Sequence, residues 1–378
     1  MNGNLYLSFV VFFQMIVVTL QLLLPLLGLA SVEQAATYRV LITLLTYLPG
    51  IIIVIQRNFT MLMVSFVTYF VLLLFSYELF PESHRFIEGS QAYTLTPISI
   101  LTAIFVASIK DMSQFTKMLL IISRASVIIA LLYVVAYNIS PLRDMDDTYS
   151  MSFGYSMLLP AMYLFSQKRL IDKIASLVFL VLIFLGGSRG PAFILVAFYF
   201  VDLFLFNKAK EWIKIVPYIV AVSVAAFILL PRYIDLESSR TYSLLESGEV
   251  FTHDSGRKED VYGVIRPHIW ERPVTGWGIG ADRYFLDGSY SHNIFLEMYL
   301  HYGIFIGTFI MATFFIWCIR LYNSKRIETM ENGRKMFIMM FMYGFLPLLV
   351  SGSYLIDFSF AIMIGVFLHI KRVVLLRK

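Results

Sequence analysis

The sequence predicts an all-α polytopic membrane protein of about twelve transmembrane helices, with one large extracytoplasmic loop containing short amphipathic helices. Three observations predict it. Of the 378 residues, 59% are hydrophobic, against roughly 45–50% in a soluble domain. Apolar runs near 20 residues recur along the whole length, each long enough to cross a hydrocarbon core of about 30 Å. The runs are continuously apolar rather than alternating, which selects helices over a β-barrel.

The runs fall at 5–30, 38–55, 59–80, 95–109, 118–139, 151–166, 174–187, 191–206, 213–231, 293–319, 336–353 and 355–370. The first is too long for a cleaved signal peptide and lacks a basic leading region, so it reads as a retained helix. No internal repeat or low-complexity linker divides the chain, so residues 1–378 form a single membrane domain, with 232–292 as a loop within it. Cys318 stands alone in an apolar run and says nothing about redox compartment. The formal charge of +5 is not a nucleic-acid signature. In a membrane protein its distribution over the loops is what informs.

That distribution fixes orientation. One set of connections holds Arg57; Lys110 and Lys117; Lys168, Arg169 and Lys173; Lys208, Lys210 and Lys214; Arg320, Lys325, Arg326, Arg334 and Lys335; and the tail "KRVVLLRK". The alternate short connections hold only Arg39, Arg85 and Arg143, beside Glu33, Glu82, Glu88, Asp144, Asp146 and Asp147. By the positive-inside rule the first set is cytoplasmic, and both termini with it. Loop 232–292 then faces outward, as does the hairpin tip "GGSRGP" at 186–191.

Four stretches could carry chemistry. In "GGSRGP", Ser188 and Gly190 flank Arg189, and Pro191 suits the first turn of the next helix. A loop arginine that snorkels to headgroups is the plain alternative to an anion site. As an anion site, the guanidinium would grip phosphate oxygens beside a helix N-terminus. In "SGRKEDVYGVIRPHIWERPVTGWGIG", residues 255–280, apolar positions at helical spacing predict an amphipathic helix lying on the membrane and bent near Pro267. Arg257 and Arg266 ride on it. Gly276, Gly278 and Gly280 follow no strand, so they predict a tight loop with close backbone approach rather than a dinucleotide site. In "SYSHNIFLEMYLHYGIFIG", residues 289–307, His292 is either a solvated flank or a general base, and Asn293 is a good helix N-cap. Asp144 to Asp147 form an acidic outward loop; with no His or Glu completing a shell, no metal site is assigned. Arg124, inside the fifth span, reads as snorkelling, and Asp357 has no evident role.

Taken in order, Ser188-Arg189-Gly190, Ser255-Gly256-Arg257 with Pro273, Gly276, Gly278 and Gly280, and His292-Asn293 with Leu296, Glu297, Gly303 and Gly307 resemble the bacterial O-antigen polymerase and O-antigen ligase superfamily. Members often carry a tryptophan a few residues after the loop arginine. Here Val261 stands near that place and Trp270 comes later, so Arg257 and Arg266 both remain candidates for that arginine.

The resemblance implies a glycosyltransferase of the bacterial inner membrane, with its active site on the periplasmic face. The donor is an undecaprenyl-diphosphate-linked oligosaccharide and the acceptor a glycan hydroxyl. Membrane lipid, a chain-length regulator and other polysaccharide-assembly proteins are the expected partners, with no nucleic acid, cofactor or metal. Arg189 and Arg257, with Arg266, would hold the donor diphosphate, and His292 would take the acceptor proton. Polymerase is preferred to ligase, which shares donor and motifs but accepts lipid A–core. A lipid-linked oligosaccharide flippase is the reading from another class. It calls for charge along mid-membrane, whereas the span interiors read as nearly free of charge.

Overall fold

A computed structural model describes residues 2–139, 151–185, 189–206, 257–328, 330 and 332–373. Ser188, Asp144 to Asp147, the span expected at 213–231 and the loop up to residue 256 lie outside these residues. The described residues are helical and contain no strand. Six helices among them are long and apolar enough to cross a membrane: Gly3–Leu26, Val32–Leu79, Met112–Tyr137, Arg189–Phe206, Ile294–Tyr322 and Gly333–Val350. The pair Pro81–Ile87 and Gln91–Ala107, bent by 62°, makes a seventh if counted as one broken span.

The chain divides into two compact units, Met1–Gly50 with Ile109–His253, and Ile51–Ser108 with Asp254–Lys378. In the first, α1 (Gly3–Leu26) packs on α5 (Met112–Ile139), and α6 (Met151–Phe165), α7 (Leu170–Leu185) and α8 (Arg189–Phe206) pack on one another. Lipid is as apolar as leucine, so membrane helices associate through close packing and interhelical hydrogen bonds. Both occur here. Phe12 lies 4.6 Å from Phe115, and Phe165 stacks on Tyr199 at 4.0 Å. The Thr43 hydroxyl donates to Gln14 at 2.9 Å, and Thr19 meets Ser156 at 3.3 Å.

Arg124, exposed on α5, has a charged partner. Its Nε and Nη2 each donate to the Asp172 carboxylate at 2.9 Å, a bidentate pair joining α5 to α7.

The long helix α2 (Val32–Leu79) breaks at Asn58, where φ is −148°. Its 48 residues at about 1.5 Å each would run to ~70 Å, more than twice a hydrocarbon core of ~30 Å. The break separates the segments expected at 38–55 and 59–80. In the second unit, the Asn58 amide donates to Ser108 Oγ at 2.6 Å and Arg57 to the Ser108 carbonyl at 3.4 Å, which ties the break to the end of α4 (Thr96–Ala107).

The other described α-helices of the second unit are α3 (His84–Ile87), α9 (Val264–Glu271), α10 (Asp282–Phe285), α11 (Ile294–Tyr322), α12 (Lys325–Glu328), α13 (Gly333–Val350) and α14 (Phe358–Val373). Glycines let α14 approach its neighbours. A Cβ at Gly365 would sit 2.6 Å from the Ala103 carbonyl of α4, and one at Gly344 would sit 2.5 Å from Met363 Cβ. Phe337 and Phe367 stack at 4.3 Å. Asp357 acquires a role: its carboxylate accepts from the amides of Ser359 at 2.8 Å and Phe360 at 3.1 Å, capping α14.

Candidate functional site: a buried ionic hub beside His292

The second unit builds its polar centre around a break in α11. Gly303 has φ +77°, so the helix is interrupted there and the Ile304 amide turns to the Pro273 carbonyl at 2.7 Å. The carbonyls left over are taken up by the glycine-rich loop. Trp277 N–H donates to Leu300 at 2.8 Å and Gly278 N–H to His301 at 3.1 Å. Buried backbone groups need partners, and here loop and broken helix supply each other's. Gly276, Gly278 and Gly280 all have positive φ, from +65° to +87°. At Gly276 a Cβ would meet the His301 carbonyl at 2.5 Å, so the approach is backbone on backbone.

Ahead of this loop stands α9. Ile265 is fully buried and Ile269 5% exposed, both packed with Leu300, Trp277 and Phe285. The apolar face of the amphipathic helix thus lies on α11 rather than on lipid. Trp277 Nε1–H donates to the His268 carbonyl at 2.7 Å, and the His268 ring stacks on Phe285 at 4.0 Å. Arg266 is exposed, with its guanidinium 6.0 Å from the Tyr262 ring centre.

Beyond the loop lies the hub. Arg283 is 2% exposed. Its Nη1 donates to Asp282 at 2.6 Å and to Glu297 at 3.0 Å, its Nη2 to Ser353 Oγ at 2.8 Å, and its Nε to Gln91 at 3.3 Å. The rings of Phe86 and Tyr290 lie 5.2 and 5.4 Å from the guanidinium. Glu297 also accepts from Ser353 Oγ and, at 3.2 Å, from the Tyr354 amide. His301 faces Asp282 with Nε2 at 3.0 Å and the Tyr354 hydroxyl with Nδ1 at 2.9 Å; Tyr354 in turn meets the Tyr302 hydroxyl at 3.0 Å. Burial pushes the Asp282 carboxyl up, but Arg283 and His301 outweigh it and hold the group well below the usual carboxylate range. The two carboxylates likewise overcome the desolvation of Arg283 and keep it charged.

Asp282, Glu297 and His301 offer ligand atoms within 4.8 Å of one another, a spacing that suits a divalent cation. Arg283 Nη1 already sits between the same two carboxylates. A metal ion would have to displace it, so the donor set is that of an ion-pair network.

His292 is joined to the hub through the residue before it. Ser291 N–H donates to Asp282 Oδ2 at 3.0 Å. His292 takes a left-handed conformation, φ +55°, a costly choice for a non-glycine residue. Its Nδ1 meets the Ser351 carbonyl at 3.3 Å, and the Tyr290 hydroxyl donates to that same carbonyl at 3.0 Å. A carbonyl only accepts, so Nδ1 carries the proton and Nε2 is the basic nitrogen of the neutral ring. Asn293 caps α11, accepting from Phe295 N–H at 3.0 Å and Leu296 N–H at 3.3 Å, and donates to the Leu349 carbonyl at 3.2 Å.

Gly276, Gly278, Gly280, His292 and Asn293 all belong to the second unit, around the start and the break of α11. Arg257 opens the π-helical turn Arg257–Gly263, and its side chain lies outside the description. Arg189 is the first residue of α8 in the first unit, half-buried, with Gly190 and Pro191 in the same turn. Sequence reasoning missed Arg283, Asp282, His301 and Ser353. A signal existed for one pair: Glu297 and His301 stand four apart in an apolar run, on one face of a helix. The span interiors are also less bare than expected. They hold Glu297 and His301 in α11 and Asp202, fully buried, in α8.

Several apolar helices long enough to span a membrane mark the chain as a helical membrane protein. No family model, curated protein or solved structure matches it.

Proposed function

We propose that the chain is a surface-polysaccharide polymerase of the O-antigen type, joining undecaprenyl-diphosphate-linked repeat units at the outer face of the bacterial inner membrane. The topology belonging to this reading has twelve spans, cytoplasmic termini and a periplasmic active site. One observation carries it furthest. Two connections that charge counting assigns to the outer face contribute Gln91 and Arg283 to one buried network, which Ser353 joins from the end of the span expected at 336–353, and His292 sits on it with Nε2 as its basic nitrogen. The Arg57–Ser108 contact supports the assignment of those two turns to the opposite face.

The reaction follows from these parts. The acceptor hydroxyl oxygen attacks the anomeric carbon of the donor sugar while His292 Nε2 takes its proton. The bond from that carbon to the diphosphate breaks, and its electron pair leaves on undecaprenyl diphosphate. In-line attack inverts the anomeric configuration. By the resemblance, the charge that builds on the diphosphate would be met by Arg189 and by Arg257 or Arg266. In this reading the arginines act where other enzymes use a metal ion. Asp282, Arg283 and Glu297 neutralise one another within the fold, which favours surface chemistry over a passage for lipid-linked glycan.

The test is the lipopolysaccharide ladder of a deletion strain. A single repeat unit on the core supports the polymerase. Bare core with accumulating lipid-linked polymer would replace it by the ligase. Purified protein that moves lipid-linked glycan between leaflets without forming glycosidic bonds would replace it by a flippase.

A further inference from the structure

We propose that Arg283 is a positioning residue for His292: its guanidinium fixes the two walls between which the imidazole is held, and so sets which ring nitrogen is basic. The inference rests on the assignment of His292 as general base.

The first wall is the stretch 290–293. Arg283 binds Asp282, whose second oxygen takes the Ser291 amide at 3.0 Å, one residue before His292. The same guanidinium lies 5.4 Å from the Tyr290 ring, which packs against the His292 ring at 4.3 Å. The second wall is the turn between α13 and α14. Arg283 donates to Ser353 Oγ at 2.8 Å, and two residues earlier the Ser351 carbonyl receives both the Tyr290 hydroxyl and His292 Nδ1. Glu297, on the first turn of α11, fastens both walls to the helix that His292 precedes. Without Arg283, two buried carboxylates would face each other unneutralised and move apart. The Ser351 carbonyl would then lose its register with His292, and with it the hold on the Nδ1 proton. A left-handed residue relaxes readily once its surroundings stop dictating its conformation.

Two measurements on purified full-length protein test this. The first is lipid-linked glycan polymerisation over a range of pH by wild type, Arg283→Met, Arg283→Lys and the milder Gln91→Met. Expected are a kcat lowered at least tenfold in Arg283→Met with KM for the donor within twofold, a displaced acid limb of the pH–rate profile, partial return in Arg283→Lys, and a smaller shift of the same kind in Gln91→Met. The second needs no activity: the rate at which diethyl pyrocarbonate acylates His292, read by peptide mass spectrometry as a function of pH. The pH dependence of that rate should shift between wild type and Arg283→Met, or Gln91→Met where the former fails to fold. Unchanged kcat per folded molecule, acid limb and acylation profile in a folded variant would overturn the proposal. If His292→Gln still polymerises while the acylation profile shifts with Arg283, positioning stands and the role of His292 as base falls. If His292→Gln is inactive and the Arg283 and Gln91 variants behave as wild type, the base stands and positioning falls.

Discussion

Gly303 leaves the helix at the point where the Pro273 carbonyl arrives; a Cβ on that glycine would lie 2.6 Å from the oxygen. The positive φ and the close approach act together, so no other residue fits without moving the loop that carries Trp277 and Gly278. Gly303→Ala is expected to cost about 1–3 kcal/mol of backbone strain, with any displacement of the loop in addition. Thermal unfolding in a fixed detergent would show it as a lower midpoint. An unchanged midpoint would mean that the break does not depend on the glycine.

Acid should test the hub. The folded pKa of Asp282 is depressed, so its contribution is fully present above the unfolded carboxylate value of about 3.9 and is lost as pH falls through the folded value. Asp282→Asn removes that contribution and leaves Arg283 under-neutralised. The expected loss near neutral pH is about 3–5 kcal/mol, as for breaking a buried pair. The gap between variant and wild type should hold down to about pH 4 and narrow progressively below it. A gap that widens as the solution is acidified would contradict the sign of the shift.

The Arg124–Asp172 pair makes a different prediction. Arg124→Leu strands the buried Asp172 carboxylate and should lower the thermal midpoint; Asp172→Leu leaves the exposed Arg124 without its partner and should lower it less. Replacing both removes the charges together, and the double variant should be more stable than either single one. If the effects simply add, the two bidentate hydrogen bonds contribute no coupling.

Arg189→Ala should abolish chain extension while membrane insertion and protein level stay unchanged. A reconstituted assay in excess chelator should retain full activity if the arginines carry the diphosphate charge. Activity that vanishes in chelator and returns with a divalent cation would assign that role to a metal.

The membrane character of the chain was legible because it rests on run length and composition; among the described residues, six helices are long and apolar enough to cross a membrane. Asn293 was legible as a cap because that role depends on local sequence alone. The hub was not. Arg283 sits in a polar loop, where an Asp-Arg dipeptide looks like solvated charge; only the approach of Gln91, Glu297 and Ser353 from distant segments buries it. Glu297 and His301 gave a fainter sign, two polar side chains on one face of an apolar helix. The Arg124 partner is 48 residues away, beyond any pattern visible along one helix.

One feature of α2 bears on how the protein must be handled. Its most apolar window is only 17% buried by the rest of the chain, and Leu45, Val64 and Phe75 are among its outward residues. For such an element the acyl chains are the packing partner. A micelle too thin for the segments on either side of Asn58 would wet their ends at a cost of fractions of a kcal/mol per Å of mismatch. Lengthening the detergent or lipid tail should therefore act on α2 much as filling a cavity acts on a soluble core. Bilayer thickness becomes, for this molecule, part of its tertiary structure.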